Sequence, residues 1–317
     1  MRDDGGNLVT TTDLVQSSRE TIQKGSKSFA AAAAFFDAET RADAEMLYAW
    51  CRHCDDVIDG QELGHGMATP DAASANQRLT SLYEKTRAAL AGQPTDDPDF
   101  AAFQRVALRR QIPERYAIEL LDGFAMDVSA RRYESLEDTL DYCWHVAGVV
   151  GVMMALVMGV KPDDLPTLRR AQDLGLAFQL TNISRDVIED AANGRIYLPA
   201  AWLAEAGVPE AEIGLKKHRA AVFAVTKRLL AEAEPYYASA IAGLSELPFR
   251  SAWAIAAARG VYRQIGIIVL QRGPKAWDTR ASASSLMKAA LALGGGWTAL
   301  TTRGAKSAPR PPLWSKI

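Results

Sequence analysis

Strand-like alternation of apolar and polar residues is nearly absent from this chain, which argues against β and α/β architectures. Cysteine is scarce. Three in 317 residues cannot make a disulfide framework, and this usage points to a reducing, cytoplasmic setting. Net charge is close to zero, at −2, so nothing suggests nucleic acid as a partner. No dinucleotide fingerprint is evident, no Ser-His-Asp order stands out, and no poised histidine offers a general base. No repeat of 20–50 residues shows itself, and no Pro/Ser-rich linker divides the chain. One domain is expected over 13–305. Residues 1–12 lack an apolar core, so they read as a flexible tail rather than a secretory signal. The basic, Pro-containing stretch 306–317 reads as a loose tail.

What is present is helical. Apolar residues make up 48% and charged residues 23% of the chain, gathered in Ala- and Leu-rich segments between short Pro/Gly breaks. The fold class is all-α: a single-domain helical bundle with helices expected over 12–24, 38–59, 71–91, 100–111, 113–128, 134–160, 165–192, 215–244, 248–272 and 282–293. Residues 142–160 carry no Asp, Glu, Lys or Arg and meet the length rule for a membrane span. His145, three glycines and the flanking Asp141, Asp163 and Asp164 favour the centre of a bundle instead.

The chain is organised around Tyr48-Ala-Trp-Cys-Arg-His-Cys-Asp-Asp-Val-Ile-Asp59. On a helix, Tyr48, Arg52, Asp55 and Asp59 fall at i, i+4, i+7 and i+11, one continuous stripe, with Asp56 beside it. Like charges at i,i+4 cost an exposed helix only ~0.2–0.5 kcal/mol per pair. Facing into a protein they cost far more unless cations neutralise them. A second stripe, Gln179, Asn182, Asp186 and Asp190, supplies an opposite wall. Cys51 and Cys54 form a C-x-x-C, but without further ligands they read as interior packing. Gly60 to Pro70 reads as a surface loop able to cover the site. Gly25-Ser-Lys-Ser-Phe29 fails as a P-loop and reads equally as a phosphate-holding loop or a helix cap. Asp122 and Asp127, at i,i+5, are expected on different faces in surface ion pairs. Gly148 and Gly151 suit close approach of a ligand or a neighbouring helix.

Magnesium takes oxygen ligands and bridges a few carboxylates to substrate phosphates. Carboxylates on two facing helices therefore fit metal-assisted departure of diphosphate, leaving a carbocation. Such a cation has to be kept from water, and the apolar helices supply a dry cavity. The rings of Tyr48, Tyr142, Tyr262 and Phe29 can stabilise it at ~0.5–2 kcal/mol each.

Five blocks in order resemble the squalene/phytoene synthase family: Gly25-Ser-Lys-Ser-Phe29, 48–59, 121–128, 141–151 and 176–199. The resemblance covers nearly the whole chain and implies an isoprenoid-synthase fold around a central apolar cavity. It implies that Asp55, Asp59, Asn182, Asp186 and Asp190 hold Mg²⁺ or Mn²⁺, with Asp56 part of the first aspartate motif. It places Ser26, Ser28 and Phe29 at the diphosphate and first isoprenoid, and Arg52, Arg185, Tyr197 and Tyr262 around the phosphates. Tyr48 and Tyr142 fall near the reacting carbons, Gln179, Val146 and Val150 on the tunnel, and Arg280 at a diphosphate. The implied reaction joins two geranylgeranyl diphosphates head to head, through a cyclopropyl diphosphate, to phytoene, the first committed step of carotenoid synthesis. The squalene-forming members use NADPH and carry a C-terminal anchor; neither signal is evident here, so no NADPH is expected. The water-insoluble product suggests peripheral membrane contact.

Two enzyme alternatives are a C15-using dehydrosqualene or squalene-type synthase and a chain-elongating prenyltransferase, the latter disfavoured because the second stripe does not read Asp-Asp-x-x-Asp. From another class comes a non-catalytic assembly or lipid-binding protein on the same fold; its cheap sign, lost aspartates, is missing.

Overall fold

The computed structural model describes residues 11–25, 27–60, 72–304 and 308–317. In chain order these form α1 (Thr11–Gly25), α2 (Lys27–Ala33), α3 (Ala38–Asp59), α4 (Ala72–Leu90), α5 (Pro98–Arg110), α6 (Glu114–Val128), α7 (Leu136–Cys143), α8 (Val149–Val157), α9 (Leu165–Ala192), α10 (Ala200–Glu205), α11 (Arg219–Ala242), α12 (Phe249–Arg272) and α13 (Ser285–Thr301). Among the described residues there is no strand.

The two aspartate helices have firm ends. Asp37 caps α3 by accepting from the backbone N–H of Glu39 (3.1 Å) and Thr40 (2.9 Å), and Gly60 stops it at φ 61°, a left-handed conformation glycine adopts without strain. Asp164 caps α9 through the Thr167 N–H at 3.2 Å. α9 is the hub: α8, α11 and α12 all pack on it. Gly175 makes one of these contacts possible, since a Cβ there would stand 2.3 Å from the Ala147 carbonyl oxygen. Gly151 does the same from the other side, 2.5 Å from the Ala171 oxygen. On the α3 side, Trp50 stacks on Phe103 with ring centroids 3.9 Å apart.

Four differences from the sequence expectations stand out. The central apolar helix is not uniform, because Trp144–Gly148 forms a π turn between α7 and α8; such wider turns often mark functional sites. It is a core helix, with Trp144, Val149, Val152 and Met153 fully buried. The stretch expected to begin at 215 contains a 3₁₀ turn, Lys216–His218, before α11, and the short α10 precedes it. The last helix runs to Thr301 rather than 293.

The fourth concerns the C-terminus. Residues 308–317, expected to be loose, are docked on the body. Arg310 makes a bidentate pair with the fully buried Asp173 (2.8 and 2.7 Å), Arg169 donates to the Ile317 oxygen at 2.7 Å, and Lys316 reaches Asp141 at 2.7 Å. Leu313, Trp314 and Ile317 pack against the core. A buried carboxylate needs its cation, and Asp173 draws one from 137 residues away. The candidate flap at 61–70, residues 1–10, Ser26 and the side chain of Ser28 lie outside the described residues.

Candidate active site

The helical spacing of the two stripes survives folding because both sit inside long, capped helices, and both face one cavity of about 610 Å³. α3 contributes Tyr48, Arg52, Asp55 and Asp59. α9 contributes Gln179, Asn182, Arg185, Asp186 and Asp190. Around the π turn and α8, Tyr142, Val146 and Val150 form an apolar wall, and Phe29, Tyr197, Tyr262 and Arg280 complete the lining from four other segments. Among the sequence-selected residues whose side chains are described, Asp56 stands off the cavity. It is buried and ion-paired to Arg52 at 2.7 Å, so it holds the guanidinium from behind rather than facing a ligand.

Carboxylates outnumber cations at this end. Asp55, Asp59, Asp127, Asp186, Glu189 and Asp190 line the cavity there against Arg52, Arg185, Arg195 and Arg280. Arg52 pairs with Asp55 at 3.0 Å. Arg185 Nε contacts both oxygens of Asp186 (2.9 and 3.0 Å), and Arg280 reaches the same carboxylate at 3.0 Å. Arg195 is bidentate to Asp59, with one contact at 3.2 Å. The remaining charge is frustrated. Burial, opposed by Arg52 but reinforced by Asp59 and Asp56, pushes the Asp55 carboxyl up to about 7. Burial together with Asp186 and Glu189 pushes Asp190 up to about 8. Burial and neighbouring like charge disfavour the ionised form of both, and a bound cation would restore it.

Asp122 and Asp127 are not the surface ion-pairing residues expected from their spacing. Asp122 accepts from the Tyr83 hydroxyl at 2.5 Å. Asp127 lines the cavity and accepts from two tyrosines, Tyr197 at 2.8 Å and Tyr142 at 3.1 Å. The two rings stack at 4.5 Å, so one carboxylate fixes both. Burial pushes Asp127 up to about 6 against the pull of Arg195 and the two hydroxyls. Arg195 lies just past Asp190 in sequence, and its pairing with Asp59, which spacing does not reveal, ties the end of α9 to α3. Two further aromatic pairs line the cavity: Phe29 on Tyr48 at 4.3 Å and Phe178 on Tyr262 at 4.0 Å.

The donor set fits a hard divalent cation. Asn182 Oδ1 is buried without a hydrogen-bond partner, while its Nδ2 donates to Gln179 at 3.2 Å. That leaves a bare oxygen one helical turn from Asp186 and two from Asp190, opposite Asp55 and Asp59. Hard cations of the magnesium class take oxygen ligands of this kind. The C-x-x-C is not a rival site. Cys54 is buried and its thiol is pushed well up by desolvation. His53 instead contacts Asp99 at 3.1 Å, beside the Lys85–Asp97 pair at 3.0 Å, in a network at the start of α5.

The likenesses to known proteins agree with this geometry. The squalene/phytoene synthase family profile matches residues 22–287. The 15-cis-phytoene synthase of Pantoea ananas is 53% identical over 97% of this chain and 99% of its own length. That of Enterobacter agglomerans is 55% identical over 93% and 99%. Among solved structures, a dehydrosqualene synthase with bound ligand superposes with a TM-score of 0.81 at 26% identity, covering 92% of this chain and 98% of that one. With two carboxylate walls facing across an apolar cavity and a family match over most of its length, the chain belongs to the squalene/phytoene synthase family.

Proposed function

We propose that the protein is a phytoene synthase, a prenyl transferase that joins two geranylgeranyl diphosphates head to head. The observation that carries this is the convergence of Asp55 and Asp59 with Asn182, Asp186 and Asp190 at one end of a cavity that is otherwise largely apolar. The family uses prenyl diphosphates, and the kinship to phytoene synthases at 53% and 55% identity supports the C20 substrate. In the first step one diphosphate leaves, its C1 is captured by the double bond of the second molecule, and a proton is lost to give the cyclopropyl diphosphate. In the second step the remaining diphosphate leaves, the cation rearranges, and loss of another proton gives phytoene. No reductant enters this balance, in keeping with a reaction that needs no NADPH.

Asp55 and Asp59 on one wall and Asn182, Asp186 and Asp190 on the other would hold Mg²⁺ (or Mn²⁺), which would supply Lewis-acid chemistry at the leaving diphosphate. The chain's own groups do the rest. Arg52, Arg185 and Arg280 present guanidinium donors where the diphosphates sit, with Tyr262 beside Arg185. Tyr48, braced by Phe29, and Tyr142, braced by Tyr197, turn ring faces to the developing cation. Val146, Val150 and Phe178 keep water from it. A reducing cytoplasm suits three free cysteines, with peripheral contact to a membrane that receives the product.

The test is to incubate the purified chain with C15 or C20 diphosphate and Mg²⁺, without NADPH, and to extract the hydrocarbon. A C40 product with diphosphate release is expected from the C20 substrate. A C30 hydrocarbon as the main product of equal competition would overturn the substrate assignment.

A further inference from the structure

The cavity is apolar in its middle, yet its far end holds a charge. Below Gln179 the cavity-lining face of α9 is Phe178, Gly175, Leu174 and Ala171, without a polar side chain, until it meets Arg170. A guanidinium is an odd neighbour for a hydrocarbon chain, and this one is 7% exposed, shut away from solvent. It is also firmly built in. Its stem crosses Gly243, where a Cβ would stand 3.0 Å from Arg170 Cβ and 3.2 Å from its Cδ. Its head donates to the Ser239 carbonyl at 2.9 Å and to the Ala308 carbonyl. Ala308 belongs to the C-terminal segment, which Arg310 fastens to Asp173 and which Leu313, Trp314 and Ile317 seat on the core. The last ten residues therefore hold a cavity-lining side chain in place.

We propose that Arg170, pinned by the C-terminal segment, is the length stop of the prenyl tunnel and sets the longest chain that fits along α9. The proposal rests on the prenyl-transferring function above. A stop made only of flexible side chains would yield; Met154 and Met158, which also line the cavity, are of that kind. Pushing Arg170 aside strands a charge without its acceptors in a dry core, which an apolar chain end cannot compensate. The lengths agree as well. Arg170 lies sixteen residues before Asp186, ~24 Å along the axis of α9. A geranylgeranyl chain, sixteen carbons in line, extends about 20 Å at a carbon–carbon bond of ~1.5 Å. The diphosphate at the Asp186 end takes up the remainder. One more isoprene unit adds about 5 Å and runs into the guanidinium, whereas a C15 chain ends short of it.

The experiment compares kcat/KM for C20 and C25 prenyl diphosphates in the native chain and in Arg170→Leu, which keeps an apolar stem and removes the anchored head. The native chain is expected to prefer C20, and Arg170→Leu should narrow that preference at least ~10-fold. A merely structural role would lower both substrates together and leave the ratio unchanged, which overturns the proposal. A second measurement needs no variant and no turnover. A C15 diphosphate extended at its far end by a diazirine group of one isoprene length is bound to the native chain with Mg²⁺ and irradiated. Labelling within 167–174 or 240–247 is expected; label elsewhere, or none, overturns the stop. Labelling there by a chain that forms no C40 product from the C20 substrate refutes the function and leaves the stop standing. Turnover of C20 with an unchanged C25 ratio does the reverse.

Discussion

α9 runs the length of the cavity, and its two ends treat buried charge in opposite ways. Asp186 lies sixteen residues beyond Arg170, ~24 Å along the helix axis at 1.5 Å per residue. At the Arg170 end every charge is answered. Arg170 donates to the Ser239 carbonyl at 2.9 Å and to Ala308, Ser239 Oγ donates to Asp173 at 2.5 Å, and Arg310 clamps Asp173 with two contacts. At the Asp186 end carboxylates exceed guanidiniums, Asn182 keeps a bare oxygen, and Asp55 and Asp190 are pushed to about 7 and about 8. The same residue types on one helix make a structural lock at one end and an undercompensated acidic wall of the cavity at the other. The difference lies in whether the chain itself supplies the counter-charge.

The sharpest way to break this contrast is to remove one charge at each end. Asp186→Asn is expected to cut turnover at least ~10³-fold, the size of a lost metal contribution of several kcal/mol, while the apo protein changes little in thermal stability, because relief of the repulsion on Asp190 offsets the weakened pairs to Arg185 and Arg280. Steady-state diphosphate release and a melting curve in chelator check both halves. A folded Asp186→Asn enzyme with near-native turnover would remove Asp186 from the metal site.

At the other end the outcome reverses. Arg310→Ala strands Asp173 in the core and should cost ~3–5 kcal/mol of stability, read by chemical denaturation. Activity per folded molecule should fall far less than for Asp186→Asn. If Arg310→Ala leaves the denaturation midpoint unchanged, the lock between the C-terminal segment and α9 does not exist.

Sequence spacing was a good guide to one end and a poor one to the other, for a physical reason. Asp55, Asp59, Asn182, Asp186 and Asp190 lie on two long helices, so their periodicity alone puts them on two faces, and an uncompensated acidic stripe is legible as a demand for cations. Asp173 offers no such signal: an isolated acid in the first half of α9, matched to one arginine in a Pro-containing segment that looks loose. Asp127 failed differently. Its spacing from Asp122 correctly placed the two on different faces, but which face is interior depends on Tyr142 and Tyr197, residues of other segments. The π turn was equally hidden, because Trp-His-Val-Ala-Gly reads as ordinary helix and the wider turn is visible only in the backbone.

The smallest expected effect is also the most specific to the Asp186 end. Asp127, Asp55 and Asp190 carry folded-state values of about 6, about 7 and about 8 against an ordinary 3.8. Their raised values mean that the folded protein binds protons which the unfolded chain has released. The stability they contribute is full below the unfolded value and is lost as pH rises through the folded ones. In chelator, their contribution to the melting temperature should therefore fall from about pH 4 and level off above about pH 8. A divalent cation replaces those protons, so Mg²⁺ should raise the melting temperature more at the alkaline limit than at the acid one. Asp190→Asn should flatten the upper part of the apo curve, because it removes the group with the highest value. Arg310→Ala should instead lower the whole curve, by the cost of stranding Asp173 in the core. A flat apo profile, or a Mg²⁺ effect independent of pH, would mean that the carboxylates at the Asp186 end are already neutralised by their arginines, and the contrast between the two ends of α9 would collapse.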